Sequence, residues 1–521
     1  MRIPLKTKAR AKNKVATVIS RPAPVKGWNA RDSVASMKPD EASYLDNWFP
    51  TAADVALRNG SDDHVTGISG QVESLMAYNA PDGTQTLFAA AGTVFHNVTS
   101  AGAVGAAVVT GLTNARWQHE NFTNSSGVSY LCCFNGVDSP RYWNGSAWIT
   151  ITGASTPAIT GLTTSDIVSA TKHKRRLWLV QKNSLKAWYL PVDAVGGAAN
   201  ALDLSGIAPR GGYIMAIGSW TLDGGEGVDD YWVALTSEGD AIVYKGTDPS
   251  SAVSWTLQGV WKLGAPLGRR CFQKYGGDLL MILVNGVYPL SKALMSANVD
   301  PRAAITNRIE SAMNTAATIA GPNFGWQVIH FPPAEMVLLN VPINEGDSQA
   351  QYVMNAITGA WCSFSGWEAN CFEVLNNELY YGGDGVVVKA WTGFSDNGAN
   401  VVGNSKTAFD YFGVKTKKAW KMARPYISTS GRPTVEVGLN IDYEDGDRLG
   451  TLTFSASNSA LWGVSHWGVG TWGSGLQTLK NWIGISGVGI CAATRFKVAS
   501  NSLEVRWQAT DYLFEPGDEI V

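Results

Sequence analysis

The sequence predicts an all-β protein: a β-propeller of six or seven blades with an additional C-terminal antiparallel domain like a β-sandwich. Three observations carry that expectation. The chain of 521 residues holds 56 glycines and 21 tryptophans but only 16% charged residues. That is a composition of turns, aromatics and strand formers rather than of helix formers. A strand–turn–strand pattern recurs from about residue 86 to residue 391, and beyond residue 400 it gives way to longer alternating strands. The expected divisions are a basic, largely extended arm over 1–35, a propeller over 36–400 and a second β domain over 401–521.

The arm comes first. Residues 1–31 carry nine basic residues (Arg2, Lys6, Lys8, Arg10, Lys12, Lys14, Arg21, Lys26, Arg31) and no acid. The whole chain has a net charge of −2, so the rest is mildly acidic. No 7–15-residue apolar core follows these charges, which argues against a secretory signal. Nowhere is there a run of 18 apolar residues, so no membrane-spanning segment is expected. The arm reads either as a solvated tail or as a segment that docks on an acidic partner or nucleic acid, with Lys6, Lys8, Arg10, Lys12 and Lys14 as the candidate contacts.

The repeating hairpins come next. Examples are "TLFAAAGTVFHN", "RLWLVQKNSLKAWYL" and "YWVALTSEGDAIVYKG". Their turns centre near Gly92, Gly136, Asn183, Gly239, Gly286, Gly359 and Gly385. The first four intervals are 44, 47, 56 and 47 residues; three of them fall within the 40–50 residues of a four-stranded blade and one exceeds it. The last two turns lie only 26 apart, a spacing that reads as shared or straddled blades. A generic sandwich would also contain hairpins; the near-constant interval favours a propeller. "PRAAITNRIESAMNTA" (301–316) is the exception, with Ile305, Ile309 and Met313 on one face of a short helix.

In the C-terminal domain, "TVEVGLNIDY" alternates Val435, Val437, Leu439 and Ile441 with polar residues, and "TRFKVASNSLEVRWQA" reads as a hairpin. Between them lies "LWGVSHWGVGTWGSG", which sets Trp462, Trp467 and Trp472 five residues apart, each followed by glycine. Five is neither the helix nor the strand period. The expectation is a glycine-hinged loop that turns three rings to one side. Three such rings need cover, from their own domain or from another subunit. They are the candidate subunit interface or gate.

Catalytic signatures are missing. There is no GxSxG, HExxH or P-loop motif, and the six histidines lack ligand spacing. "DYEDGDRLG" departs from a calcium loop because Asp445 stands where glycine is required, so a solvated turn is expected. "SDDH" (61–64) is weaker still. The six cysteines sit in apolar stretches without a CxxC and read as small buried residues. No enzyme activity, cofactor or metal is expected. One basic stretch, "KTKKAWKMARPYI", interleaves Lys415, Lys417, Lys418, Lys421 and Arg424 with Trp420 and Tyr426. It suits nucleic-acid contact or, alternatively, a charged strand edge.

Three segments together resemble a known family: "DEASYLDNWFPTAADVALRNGSDDHVTG" (40–67), "KTAFDYFGVKTKKAWKMARPYISTSGRPTVEVGLNIDYED" (406–445), and the Trp-Gly run with the closing "RFKV…VRWQATDYLFEPGDEI". The likeness is to the tail nozzle, or tail tubular and packaged-DNA-stabilisation, proteins of short-tailed bacteriophages. It implies a non-enzymatic propeller protein of the virion tail, assembled in the host cytoplasm as a sixfold ring. Such a ring lies below the portal and adaptor proteins, carries tail fibres or spikes, closes the double-stranded DNA channel and opens it at ejection. The alternative is a carbohydrate-binding propeller of a phage or cell surface, which would repeat its tryptophans once per blade.

Overall fold

The computed structural model describes residues 16–223, 228–295, 300–446, 449–452 and 476–517. Contacts divide the chain into two compact units, residues 58–401 and residues 1–57 with 402–521.

Residues 58–401 form a β-propeller. Among the described residues, seven antiparallel sheets follow one another. Their first strands are the second half of Ser61–Asn79, then Gln118–Thr123, Ile167–His173, Ile214–Asp223, Phe272–Tyr275, Gln327–Phe331 and Cys371–Leu375. Each first strand packs against the next, and the seventh packs against the first. The predicted turns explain themselves in this frame. Gly92, Gly136, Asn183, Gly239 and Gly286 all lie at the connection between the second and third strands of their sheets. Gly359 instead joins the third and fourth strands of the sixth sheet, Met336–Val341 and Ala350–Asn355 being its second and third. The short interval to Gly385 is therefore a change of phase, not a shared sheet.

One strand closes the ring. The first half of Ser61–Asn79 pairs with Asp384–Ala390 of the seventh sheet, with Val65 opposite Val387. Its second half pairs with Gln85–Ala91 of the first sheet, with Met76 opposite Phe88. Between the halves stand Gly67 and Gly70, both at φ +83°, a conformation that costs other residues about 1–2 kcal/mol. "GISG" is the bend that lets one strand serve two sheets.

The cores are wedges between neighbouring sheets. Trp178, Trp232, Tyr244 and Trp255 fill the wedge between the third and fourth sheets. Phe88, Phe95, Trp117 and Cys133 fill the first such wedge, while Cys132, on the opposite face of the same strand, belongs to the second. All six cysteines are buried and free. The expected helix is present as Glu310–Ala320, preceded by 3-10 turns from Pro301; Ile309 and Met313 are fully buried.

The second unit differs from the expected division. Residues 16–57 do not form an extended arm joined to a propeller; they fold with 402–517. Thr17–Pro22 pairs antiparallel with Val505–Pro516, and Ala42–Asp46 pairs with Ala399–Thr407. The reason lies in alternation that the basic charges obscured: Val18 and Ser20 point outward, while Arg21 forms an ion pair with Asp410. A second correction concerns "TRFKVASNSLEVRWQA". Ala492–Ser500 and Val505–Pro516 are both strands, but they do not form a hairpin. Ala492–Ser500 pairs with Thr434–Ile441, and Val505–Pro516 pairs with Lys418–Thr429. The turn crosses between two sheets, and Phe496 and Trp507, one from each, stack 4.4 Å apart with Trp48 beside both.

Candidate functional site

The first strands of the seven sheets converge on a cavity of about 280 Å3. Each contributes to its wall, among them Leu75, His119, Thr171, Ile217, Gln273, Gln327 and Glu373. Strand alternation sends successive side chains to opposite sides. In a propeller's first strand both sides are largely covered by neighbouring sheets, so a polar residue there meets other polar residues at the axis.

Two ionisable pairs form across the cavity. His119 Nε2 lies 3.4 Å from a Glu373 carboxyl oxygen, and Lys172 Nζ lies 3.4 Å from Glu120. Burial pushes Glu373 up to about 7, opposed by a hydrogen bond from the Val374 N–H and by the Arg270 charge. Burial, aided by Arg270, lowers His119 to about 4. Between those values the pair holds one proton, on Glu373, and is neutral. Glu120 is also raised by burial, with Lys172 pulling the other way. Arg270 is fixed by three donations from Nη2, to Glu73 O (3.0 Å), Ser74 Oγ (2.8 Å) and Trp117 O (3.2 Å). Gln327 holds the wall in register by bonding both the N–H and the carbonyl of Phe372. A larger cavity of about 400 Å3 gathers later residues of the same strands, with Lys172, Lys174, Arg175 and Lys274 facing Asp193 and Asp230.

No family profile matches the chain, and no curated protein matches it. Solved structures do. The BBS1N chain from its complex with ARL6DN aligns at 10% identity and a TM-score of 0.40, over 65% of this chain and 99% of that one. YCF48 from Cyanidioschyzon merolae aligns at 12% identity and a TM-score of 0.33, over 66% and 97%. The β-propeller domain of Cps50 (Swd1) from Myceliophteria thermophila aligns at 12% and 0.37, over 63% and 98%.

The residues singled out from sequence fare unequally. Trp462, Trp467 and Trp472 lie outside the described residues, as do Lys6, Lys8, Arg10, Lys12 and Lys14. The basic stretch is a strand, Lys418–Thr429, flanked on both sides by other strands, so it is not an exposed edge. Lys418 is fully buried and donates to the carbonyls of Val414, Thr416 (2.9 Å) and Ile490 (2.9 Å), and burial lowers its pKa. It is closed to phosphate. Trp420 is core, packed near Phe412. Arg424 and Tyr426 share Asp511, at 2.6 and 2.8 Å. Lys421 lies 3.6 Å from Glu515, and Lys415 sits over the Tyr411 ring. Lys415, Lys417 and Lys421 remain exposed.

In "DYEDGDRLG", Asp442 accepts the N–H groups of Ile490 and Cys491. "SDDH" lies in the closing strand. Among the described residues, no group of three or more His, Cys, Asp or Glu is arranged to hold a metal ion, and no helix is long and apolar enough to cross a membrane. The sequence reading missed the axial cluster. It found no converging acids, yet Glu120 and Glu373 line one cavity. The available signal was position: both lie in the strand preceding a predicted hairpin, where a propeller places its axis.

Proposed function

We propose that this protein is a structural component of a short-tailed phage virion, a tail nozzle that assembles as a ring of six copies beneath the portal and adaptor proteins. In this reading the ring closes the DNA channel, passes DNA at ejection, carries tail fibres or spikes, and catalyses no reaction. The seven sheets count as seven blades, supported by the closed cycle of their first strands. The two facing sheets of the other unit act as a sandwich-like domain into which the propeller is inserted.

The use of tryptophan is the observation that carries this reading. Trp117, Trp178, Trp232, Trp326, Trp361 and Trp367 are almost completely buried. Trp117, Trp178 and Trp232 are wedges between sheets, and none of the six is a surface platform. A lectin built on this propeller would need an exposed aromatic at the same place in successive blades. The propeller's own axis is lined with paired ionisable side chains around a small cavity, so DNA would pass between copies rather than through one. Heterologous contacts between such wedges close into rings. The Trp462, Trp467 and Trp472 loop supplies the contact in this proposal, and Lys415, Lys417, Lys421 and the basic N-terminal residues supply the adaptor or DNA contacts.

One surface groove favours the alternative, a carbohydrate-binding propeller. Trp220, Tyr231 and Trp261 line about 290 Å3, with Gln258 and Ser291 at hand. Sedimentation of the purified protein, alongside binding to a glycan panel, separates the two readings. Rings without glycan binding support the nozzle; a monomer whose glycan binding is lost on Trp261→Ala supports the lectin.

A further inference from the structure

Arg269 and Arg270 are consecutive, and both line the axial cavity. Among the described residues neither forms an ion pair. Nearby Arg116 is the contrast, held between Glu73 at 3.0 Å and Glu345 at 2.5 Å. Arg270 uses Nη2 three times, but its Nη1 is buried with no partner. Arg269 makes one long bond, from Nη1 to Met215 O at 3.4 Å, and leans on the Tyr213 ring. The acids of the same cavity are engaged elsewhere, Glu120 with Lys172 and Glu373 with His119.

Glu373 and Glu73 act on Arg270 only at longer range; two neighbouring cations that form no direct ion pair in a confined space are unfavourable, and a buried donor without an acceptor adds about 1–3 kcal/mol to that cost. Burial already depresses both guanidinium pKa values, although both groups stay protonated. A guanidinium's planar fork matches the oxygens of a carboxylate or phosphate. Gln118, Ser169 and Gln273 add neutral hydrogen-bonding groups to the same wall. The volume, about 280 Å3, stands at the small end of ligand sites.

We propose that the axial cavity is a binding site for the oxyanion group of a small molecule, a carboxylate or a phosphate, received by Arg269 and Arg270. The site is independent of ring assembly and of the nozzle reading.

The test is calorimetry and thermal melting of the full chain near pH 6, below the value of Glu373. The probes are inorganic phosphate and glucuronate, with glucose and sodium chloride at matched ionic strength as controls. Saturable binding of at least one anion, with a rise in Tm, is expected; glucose and chloride give neither. Tighter glucuronate than phosphate identifies an organic acid as the occupant, and the reverse order identifies a phosphate. Arg269→Gln weakens binding at least about tenfold, the loss of one charge-assisted contact, with the circular dichroism unchanged and the unliganded Tm equal or higher. Arg270→Gln also disturbs the Ser74 and Trp117 anchors, so Arg269→Gln decides. No saturable anion binding, or binding retained in Arg269→Gln, overturns the proposal.

Discussion

At the scale of single residues, the segment that carried the family likeness turns out to be a set of anchors. Trp48 of "DNWFP" is fully buried against Phe496 and Trp507. Asn47 adopts φ +56° and donates from Nδ2 to Val402 O. Arg58 of "VALRNGS" is almost completely buried, clamps both oxygens of Asp396 at 2.9 and 2.6 Å, and reaches Ser365 O at 2.7 Å. Its guanidinium lies 4.8 Å from the Trp367 ring centroid. Removing one partner of such a pair strands the other, so Arg58→Ala is expected to cost about 3–5 kcal/mol in urea unfolding of the propeller. Arg58→Lys recovers little of it, because an ammonium cannot fork. At the axis, Glu373 has a folded value near 7, above its unfolded value. Unfolding lets it ionise, so it destabilises the fold increasingly as pH rises from the unfolded value through 7. Glu373→Gln, which stays neutral, is expected to melt higher than the parent at pH 8–9, by a margin on the order of 1–3 kcal/mol, with the margin vanishing toward about pH 4. His119 works in the opposite sense: its folded value near 4 removes stability as pH falls from the unfolded value near 6.5 toward 4. Melting curves of the parent and Glu373→Gln across that range check both signs.

At the scale of elements, the strand Ser61–Asn79 matters most, because it belongs to the first and the seventh sheet at once. Val65 and Val387, opposite each other across the seam, are almost completely buried. Val65→Lys places a charge there and is expected to open the seam. Hydrogen exchange should then rise first in 61–66 and 384–390, before the third and fourth sheets respond; a uniform rise would show that the propeller unfolds as one body. The other critical element is Thr17–Pro22. Deleting residues 2–22 strips its pairing along Ala509–Phe514 and the Arg21–Asp410 ion pair. A lower melting temperature of the 16–57 and 402–517 unit is expected; an unchanged one would show the strand to be dispensable. Hairpins were readable from sequence because a glycine or asparagine at each turn marks a local event. Gly239, for instance, has φ +83°, and a Cβ there would lie 2.5 Å from Gly264 O. Partners distant in sequence were not readable. Nothing local says that 17–22 meets 505–516, or that the "ASNS" turn crosses between sheets instead of closing a hairpin. The axial cluster was hidden for the same reason. His119, Glu120, Arg270 and Glu373 are ordinary residues on or beside strands until ring closure brings three sheets to one point.

At the scale of the whole molecule, the chain is a propeller inserted between two halves of a second β unit, entered at 57–58 and left at 401–402. Both ends of the propeller are thereby covalently tied to that unit. In the unit, Lys418–Thr429 and Val505–Pro516, twelve residues each, run side by side through most of their length. A long antiparallel pair resists shear by loading many hydrogen bonds together. The proposed nozzle function requires that this protein assemble into a ring. The most direct test is the mass of the purified protein in solution, by native mass spectrometry or sedimentation, for the parent chain and for Trp467→Ala/Trp472→Ala. The account predicts a parent assembly close to six copies of the 55.7 kDa chain, and a folded, monomer-sized double variant. A parent chain that stays monomeric at every concentration, with or without portal and adaptor proteins, would contradict it.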